Sequence, residues 1–182
     1  MSDKGALSNL AVAVSGLFGM IQANDQYLGA LQSFAILTTN SIVGTLQILG
    51  ESLDKVFTYT STAEKLLVYP FIVASLTDKY IENKNLSYSF IVIPIIPLAA
   101  FALGKDVRIE EFQQASTVLG SILMGYLSVR HDNPYIVATS LSHLCVMFAL
   151  NANDKILNVS NRHWQNIVKC FFAFCAVKAI NL

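Results

Sequence analysis

Residues 85–104 read NLSYSFIVIPIIPLAAFALG, a run without a single Asp, Glu, Lys or Arg. A helix rises about 1.5 Å per residue and bilayer hydrocarbon is about 30 Å thick, so ~20 mainly apolar residues make one crossing. This run meets that length. Working outward, charge is also absent from residues 5–24, 26–50 and 112–129. Across all 182 residues 54% are hydrophobic and 13% charged, against about 25% charged in an ordinary soluble domain. A bundle facing water on all sides needs charge on every outer helix, and here whole helices lack it. The expected class is therefore all-α, a polytopic transmembrane helix bundle folded as a single domain over residues 1–182.

Five stretches approach span length: residues 6–23, 28–50, 88–104, 112–129 and 134–150. Two others are shorter. In 66–76 the apolar run is brief, but Ser61 and Glu64 hold a capping-box spacing that starts a helix running to Ile81, with Lys65 and Lys79 reaching outward. Residues 167–180 carry Lys169 and Lys178 and either lie along the interface or span with both ammonium groups turned to headgroups or partners. The expectation is about seven helices, five of them full spans. Lys4 ahead of an apolar run to Ala23 has the outline of a secretion signal and is read as a retained span. Asn133 before Pro134 suits a helix N-cap and first position, and Asp106, Glu110 and Glu111 place acids at a helix start. Brief connections at 24–27 and 130–133 make adjacent helices antiparallel neighbours.

Twelve basic and twelve acidic residues cancel, so no field draws the chain to nucleic acid. Cys145, Cys170 and Cys175 are odd in number and unclustered, which suits buried thiols better than a disulfide framework. In a seven-span arrangement the loop Lys and Arg residues favour a cytosolic amino terminus. The sequons Asn85-Leu86-Ser87 and Asn158-Val159-Ser160 then fall on opposite faces.

Ala11, Ser15, Gly19 and Ala23 recur every four residues, as do Thr117, Ser121 and Gly125, giving two ridges of small side chains. Such ridges admit a close helix, either a partner subunit or, more commonly, a neighbour in the same bundle. The second segment is polar for a span, with Gln32, Ser33, Thr38, Thr39, Asn40, Ser41, Thr45 and Gln47, so it belongs inside. Asn40, Thr45 and His143 are candidates for a polar path. Against that reading, Ser and Thr can return their hydrogen bonds to their own helix. Pro94 and Pro97 kink or break the fourth segment, and Pro70 does the same in the third. His143 is the lone acidic or basic residue in the five spans, with no acidic companion. Arg162, Trp164, Lys169 and Lys178 read as interfacial anchors.

Catalysis needs paired acids, a nucleophile with a base, or clustered metal ligands, and the sequence displays none of these motifs. It calls for no cofactor and no metal. The first functional expectation is a non-enzymatic membrane subunit that anchors or stabilises a larger membrane-protein assembly. Such a subunit could also assist lipid handling or membrane tethering, in contact with membrane lipids and in an internal membrane such as the endoplasmic reticulum, the plasma membrane staying open. The alternative is a small transporter or channel, favoured by a wet cavity lined by Asn40, Thr45 and His143. The third class, a membrane-embedded enzyme, requires two or more of His131, Asp132, His143 and His163 to converge on one pocket.

Overall fold

The computed structural model describes residues 2–23, 27–50, 52–81, 83–150 and 160–182. They form seven helices and, among the described residues, no strand: α1 (Ser2–Gln22), α2 (Leu28–Ile48), α3 (Asp54–Ile81), α4 (Lys84–Ala102), α5 (Ile109–Arg130), α6 (Pro134–Leu144) and α7 (Asn161–Asn181). A π-helical turn, Cys145–Ala149, continues α6.

Six helices close a ring. Helix α1 packs on α2, α2 on α3, α3 on α5, α5 on α6, α6 on α7, and α7 returns to α1. Helix α3 also meets α7 across the ring, while α4 stands outside it and leans chiefly on α3. Near the starts of α1 and α7, Asn166 donates to Asn9 at 2.7 Å; at their ends, Asn181 donates to the Gln22 carbonyl at 3.3 Å. The two helices therefore run parallel, as seven alternating helices require.

The main core cluster draws buried members from every ring helix: Val12, Phe34 and Leu37, Val73 and Leu76, Met124 and Leu127, Ile136, and Phe172 with Ala176. Helix α3 supplies its centre. From Leu66 to Thr77 every residue is buried, because α2, α4, α5 and α7 leave it no free side. The sequence expectation is corrected here. The third helix is 28 residues long and central rather than short, and it begins at Asp54, so Ser61 and Glu64 lie inside it and cap nothing. The seventh, at 21 residues, is not short either.

Among the described residues two helices, α1 over Gly5–Gln22 and α4 over Lys84–Ala102, are long and apolar enough to cross a membrane. Pro134–Ala149 is apolar but shorter. Helix α2 is diluted by its amides and hydroxyls, and α5 by Glu110, Glu111, Gln113 and Gln114 in its first turns. Around the outside, Leu7, Val14, Phe18 and Ile21 on α1, Val92, Ile93 and Ile96 on α4, and Leu119 and Ile122 on α5 are exposed. Helix α4 runs unbroken through Pro94 and Pro97, both of which are buried, as is Pro70 in α3. Asn133 does cap α6, accepting from the Tyr135 N–H at 3.1 Å with Pro134 following, and Glu110 and Glu111 stand in the first turn of α5. Asn85 is exposed in the first turn of α4; the sequon at Asn158 and the connection at 24–26 lie outside the described residues.

Close helix approach sets glycine requirements that can be checked. A Cβ on Gly29 would stand 2.7 Å from the Phe71 carbonyl oxygen, whereas one on Gly125 meets nothing within 4 Å. Gly29→Ala is expected to lower the unfolding midpoint, with overpacking costing about 1–3 kcal/mol. Gly125→Ala should leave it unchanged or raise it, since alanine is the better helix former. Thermal unfolding of the full chain in detergent reads both.

Candidate functional site

Inside the ring, towards the end that holds the start of α1, lies a cavity of about 430 Å³. Its wall takes Asn9 from α1, Leu37, Asn40 and Ser41 from α2, and Phe57, Ser61, Glu64, Lys65 and Val68 from α3. The far wall is Glu110, Gln113 and Gln114 of α5, His143 with Val146 and Met147 of the π-helical turn, and Arg162, Gln165, Asn166, Lys169 and Phe172 of α7. These residues come from the last half of α2 and the first turns of α5 and α7, so the cavity occupies one end of the bundle. Val73, Leu76, Met124, Leu127 and Ile136, all fully buried, close the other.

An ion pair stands at its centre. The Lys169 ammonium contacts Glu64 Oε1, the Asn40 carboxamide donates to Glu64 Oε2, and Thr60 Oγ1 donates to Asn40 Oδ1 at 2.8 Å. Lys169 keeps 23% and Glu64 11% of their side-chain surface exposed. A carboxylate withdrawn this far from water requires a counter-charge and satisfied lone pairs, and α2 and α7 deliver both. Beside them Asn166 Nδ2 donates to Asn9 Oδ1 at 2.7 Å and Ser8 Oγ at 3.0 Å, tying α7 to α1.

On the opposite wall His143 Nε2 stands 3.3 Å from Thr117 Oγ1, and its ring lies parallel to Tyr69 with centroids 4.2 Å apart. The Tyr69 hydroxyl reaches Ser121 at 3.1 Å and Ser140 at 3.0 Å. These bonds join α3, α5 and α6 below the cavity. A π-turn at the cavity wall fits the frequency of such turns at functional sites.

The candidate path residues are thus divided. Asn40 and His143 line the cavity; Thr45 does not, and returns its hydroxyl to the Ser41 carbonyl at 2.9 Å. Along the first ridge, Ala11 is exposed and Ser15 bonds back to the Ala11 carbonyl at 2.9 Å. Gly19 lies against the Phe34 ring and Ala23 joins the core. On the second ridge Ser121 turns to Tyr69, while Gly125 opens outward. Among the expected anchors, Arg162 and Lys178 are exposed and Trp164 half-buried, but Lys169 points inward to Glu64. Of the four residues from which an enzyme would need two or more to converge, His143 lines the cavity; His131 packs on Tyr80 at the far end, 4.6 Å between centroids.

Along the sequence Glu64 stands at a capping-box spacing and Lys169 at an anchor position, so nothing local marks them as partners. The usable signal was Arg162, Gln165, Asn166 and Lys169, polar residues three and four apart that mark one face of α7. Lys169→Met should destabilise the protein by about 3 kcal/mol, the low end for removing one partner of a buried pair. The double change Glu64→Gln with Lys169→Met should recover most of that loss, and a double-mutant cycle on unfolding in detergent measures the coupling. Comparison with protein-family models, with curated proteins and with solved structures gives no match to this chain.

Proposed function

We propose that this chain is a membrane-embedded helix bundle that takes a small polar solute into the ring through one open end, as the substrate-holding unit of a small carrier or channel. The observation that carries the reading is a polar cavity, with an ion pair inside it, enclosed by helices whose outer faces are apolar. A soluble bundle is arranged the other way, and an extended exposed apolar surface marks contact with lipid or another protein. At about 430 Å³ the cavity falls within the ~300–1,000 Å³ of small-molecule sites. Its carboxamides and charged groups would be costly to keep there without water or a ligand to satisfy them. Treating all seven helices as crossings is part of the proposal, with Ser33, Thr38, Asn40, Ser41 and Thr45 of α2 and Thr117 and Ser128 of α5 sheltered inside.

The anchoring-subunit reading keeps one specific support. Helix α4 stands outside the ring with exposed Val92, Ile93 and Ile96, and α5 presents Leu119, Ile122 and an unobstructed Gly125 on its outer side. That surface suits another membrane helix, and it is compatible with a solute site inside.

One-sided access is the test. In a chain with Cys145, Cys170 and Cys175 replaced by Ala, Ser61→Cys and Gln113→Cys should react with a membrane-impermeant maleimide from one face of sealed vesicles only. Met124→Cys and Leu127→Cys should stay unlabelled from both faces. Release of the protein from vesicles by alkaline carbonate, or equal labelling of all four positions, would sink the proposal.

A further inference from the structure

The cavity wall is unequal in charge. Lys65, Arg162 and Lys169 face it with Glu64 and Glu110, three cations against two carboxylates. Only Lys169 and Glu64 are paired; among the described residues Lys65, Arg162 and Glu110 form no ion pair. Arg162 holds its guanidinium 6.0 Å from the Phe57 ring centre at the mouth, where the planar fork stays available to a carboxylate. A recess walled by low-dielectric helices concentrates the field of such an excess charge. One added negative charge would bring the wall to neutrality.

The inner pair specifies what kind of anion fits. Glu64 is itself a carboxylate, held by one ammonium from Lys169 and one carboxamide N–H from Asn40, the partners a soluble carboxylate would seek. Resting on the solute-binding reading, we infer that the cavity receives a small polar monocarboxylate, and that Glu64 occupies Lys169 as an internal stand-in which the solute displaces. The site neighbours supply what the exchange needs. Arg162 and Lys65 draw the anion to the mouth, Lys169 receives it, and Glu64 keeps the hydrogen bond it accepts from Asn40. The amide-rich remainder, Asn9, Gln113, Gln165 and Asn166, offers donors and acceptors to a hydroxylated or amide-bearing body. No covalent step is involved.

An internal competitor makes the two halves of one ion pair act in opposite directions, which a purely structural pair does not. Isothermal titration of the detergent-purified full chain with acetate, lactate and gluconate, each against its neutral amide, reads this. Saturable binding of one or more carboxylates and none of its amide is expected. Glu64→Gln should tighten that binding by about tenfold, since a site blocked nine-tenths of the time shows a tenth of its intrinsic affinity. Lys169→Gln should weaken it by about thirtyfold or more, as truncating one side of a desolvated charge pair does, and Lys169→Arg should restore much of it. Equal weakening by Glu64→Gln and Lys169→Gln would overturn the stand-in role. Equal binding of acid and amide would overturn the carboxylate assignment while leaving a solute site, and no binding of any compound would remove both.

Discussion

From Leu66 to Thr77 helix α3 has no outside, and that constraint organises the other six. Enclosed by α2, α4, α5 and α7, its stretch from Leu66 to Thr77 must satisfy every polar atom locally. It does: Ser75 and Thr77 return their hydroxyls to carbonyls four residues back, and Tyr69 finds two serines on neighbouring helices. A buried helix with this composition transmits position rigidly, because its side chains interlock with all four neighbours. The surrounding helices take their register from it. Gly29 lets α2 approach the Phe71 carbonyl, Gly120 of α5 makes room for the Tyr69 ring, and Ser87 of α4 donates to the Ala74 carbonyl at 2.9 Å.

Where enclosure of α3 ends, chemistry begins. One turn before Val68 the chain places Glu64, and the low-dielectric surroundings that make an apolar residue comfortable make a carboxylate expensive. Asn40 and Lys169 offset that cost from two directions. A cavity at this level follows naturally, since polar side chains that must meet each other cannot also fill space as densely as Leu and Phe do. The apolar floor of Leu37, Val68 and Phe172 marks the depth at which dense packing resumes.

The helical class, the helix order and several boundaries were legible because they rest on local composition. Charge-free runs, the Asn133-Pro134 cap and the acids opening α5 are each readable within a few residues. The polar character of α2 was a partial guide: Ser33, Thr38, Asn40, Ser41 and Thr45 are buried, whereas Gln32 and Thr39 are exposed. The centrality of α3 was not legible, because a short apolar run flanked by Lys65 and Lys79 looks the same whether its ends reach solvent or neighbouring helices. Lys79 in fact donates to the Ile180 carbonyl at 2.8 Å. The Glu64–Lys169 pair joins residues more than a hundred positions apart, and no local pattern specifies such a partner. Candidate path residues were legible in part: Asn40 and His143 reach the cavity, whereas Thr45 satisfies itself within its own helix, a choice set by rotamer rather than residue type.

The end of the bundle opposite the cavity is fastened. Lys79 and Tyr80 of α3 and Asn133 ahead of α6 converge on the last carbonyls of α7, with Tyr80 donating to the Ala179 carbonyl at 3.1 Å and accepting from Asn133 at 2.9 Å. From Tyr80 back to Glu64 is sixteen residues of helix, a lever of about 24 Å at 1.5 Å per residue. A ring clasped at one rim and hollow at the other behaves mechanically as tongs do. A tilt of a few degrees at the clasp, too small to break a hydrogen bond there, separates the tips by more than an ångström. On the proposed solute reading, such a tilt would be felt where Glu64 meets Lys169, with the fastened rim preserving the fold.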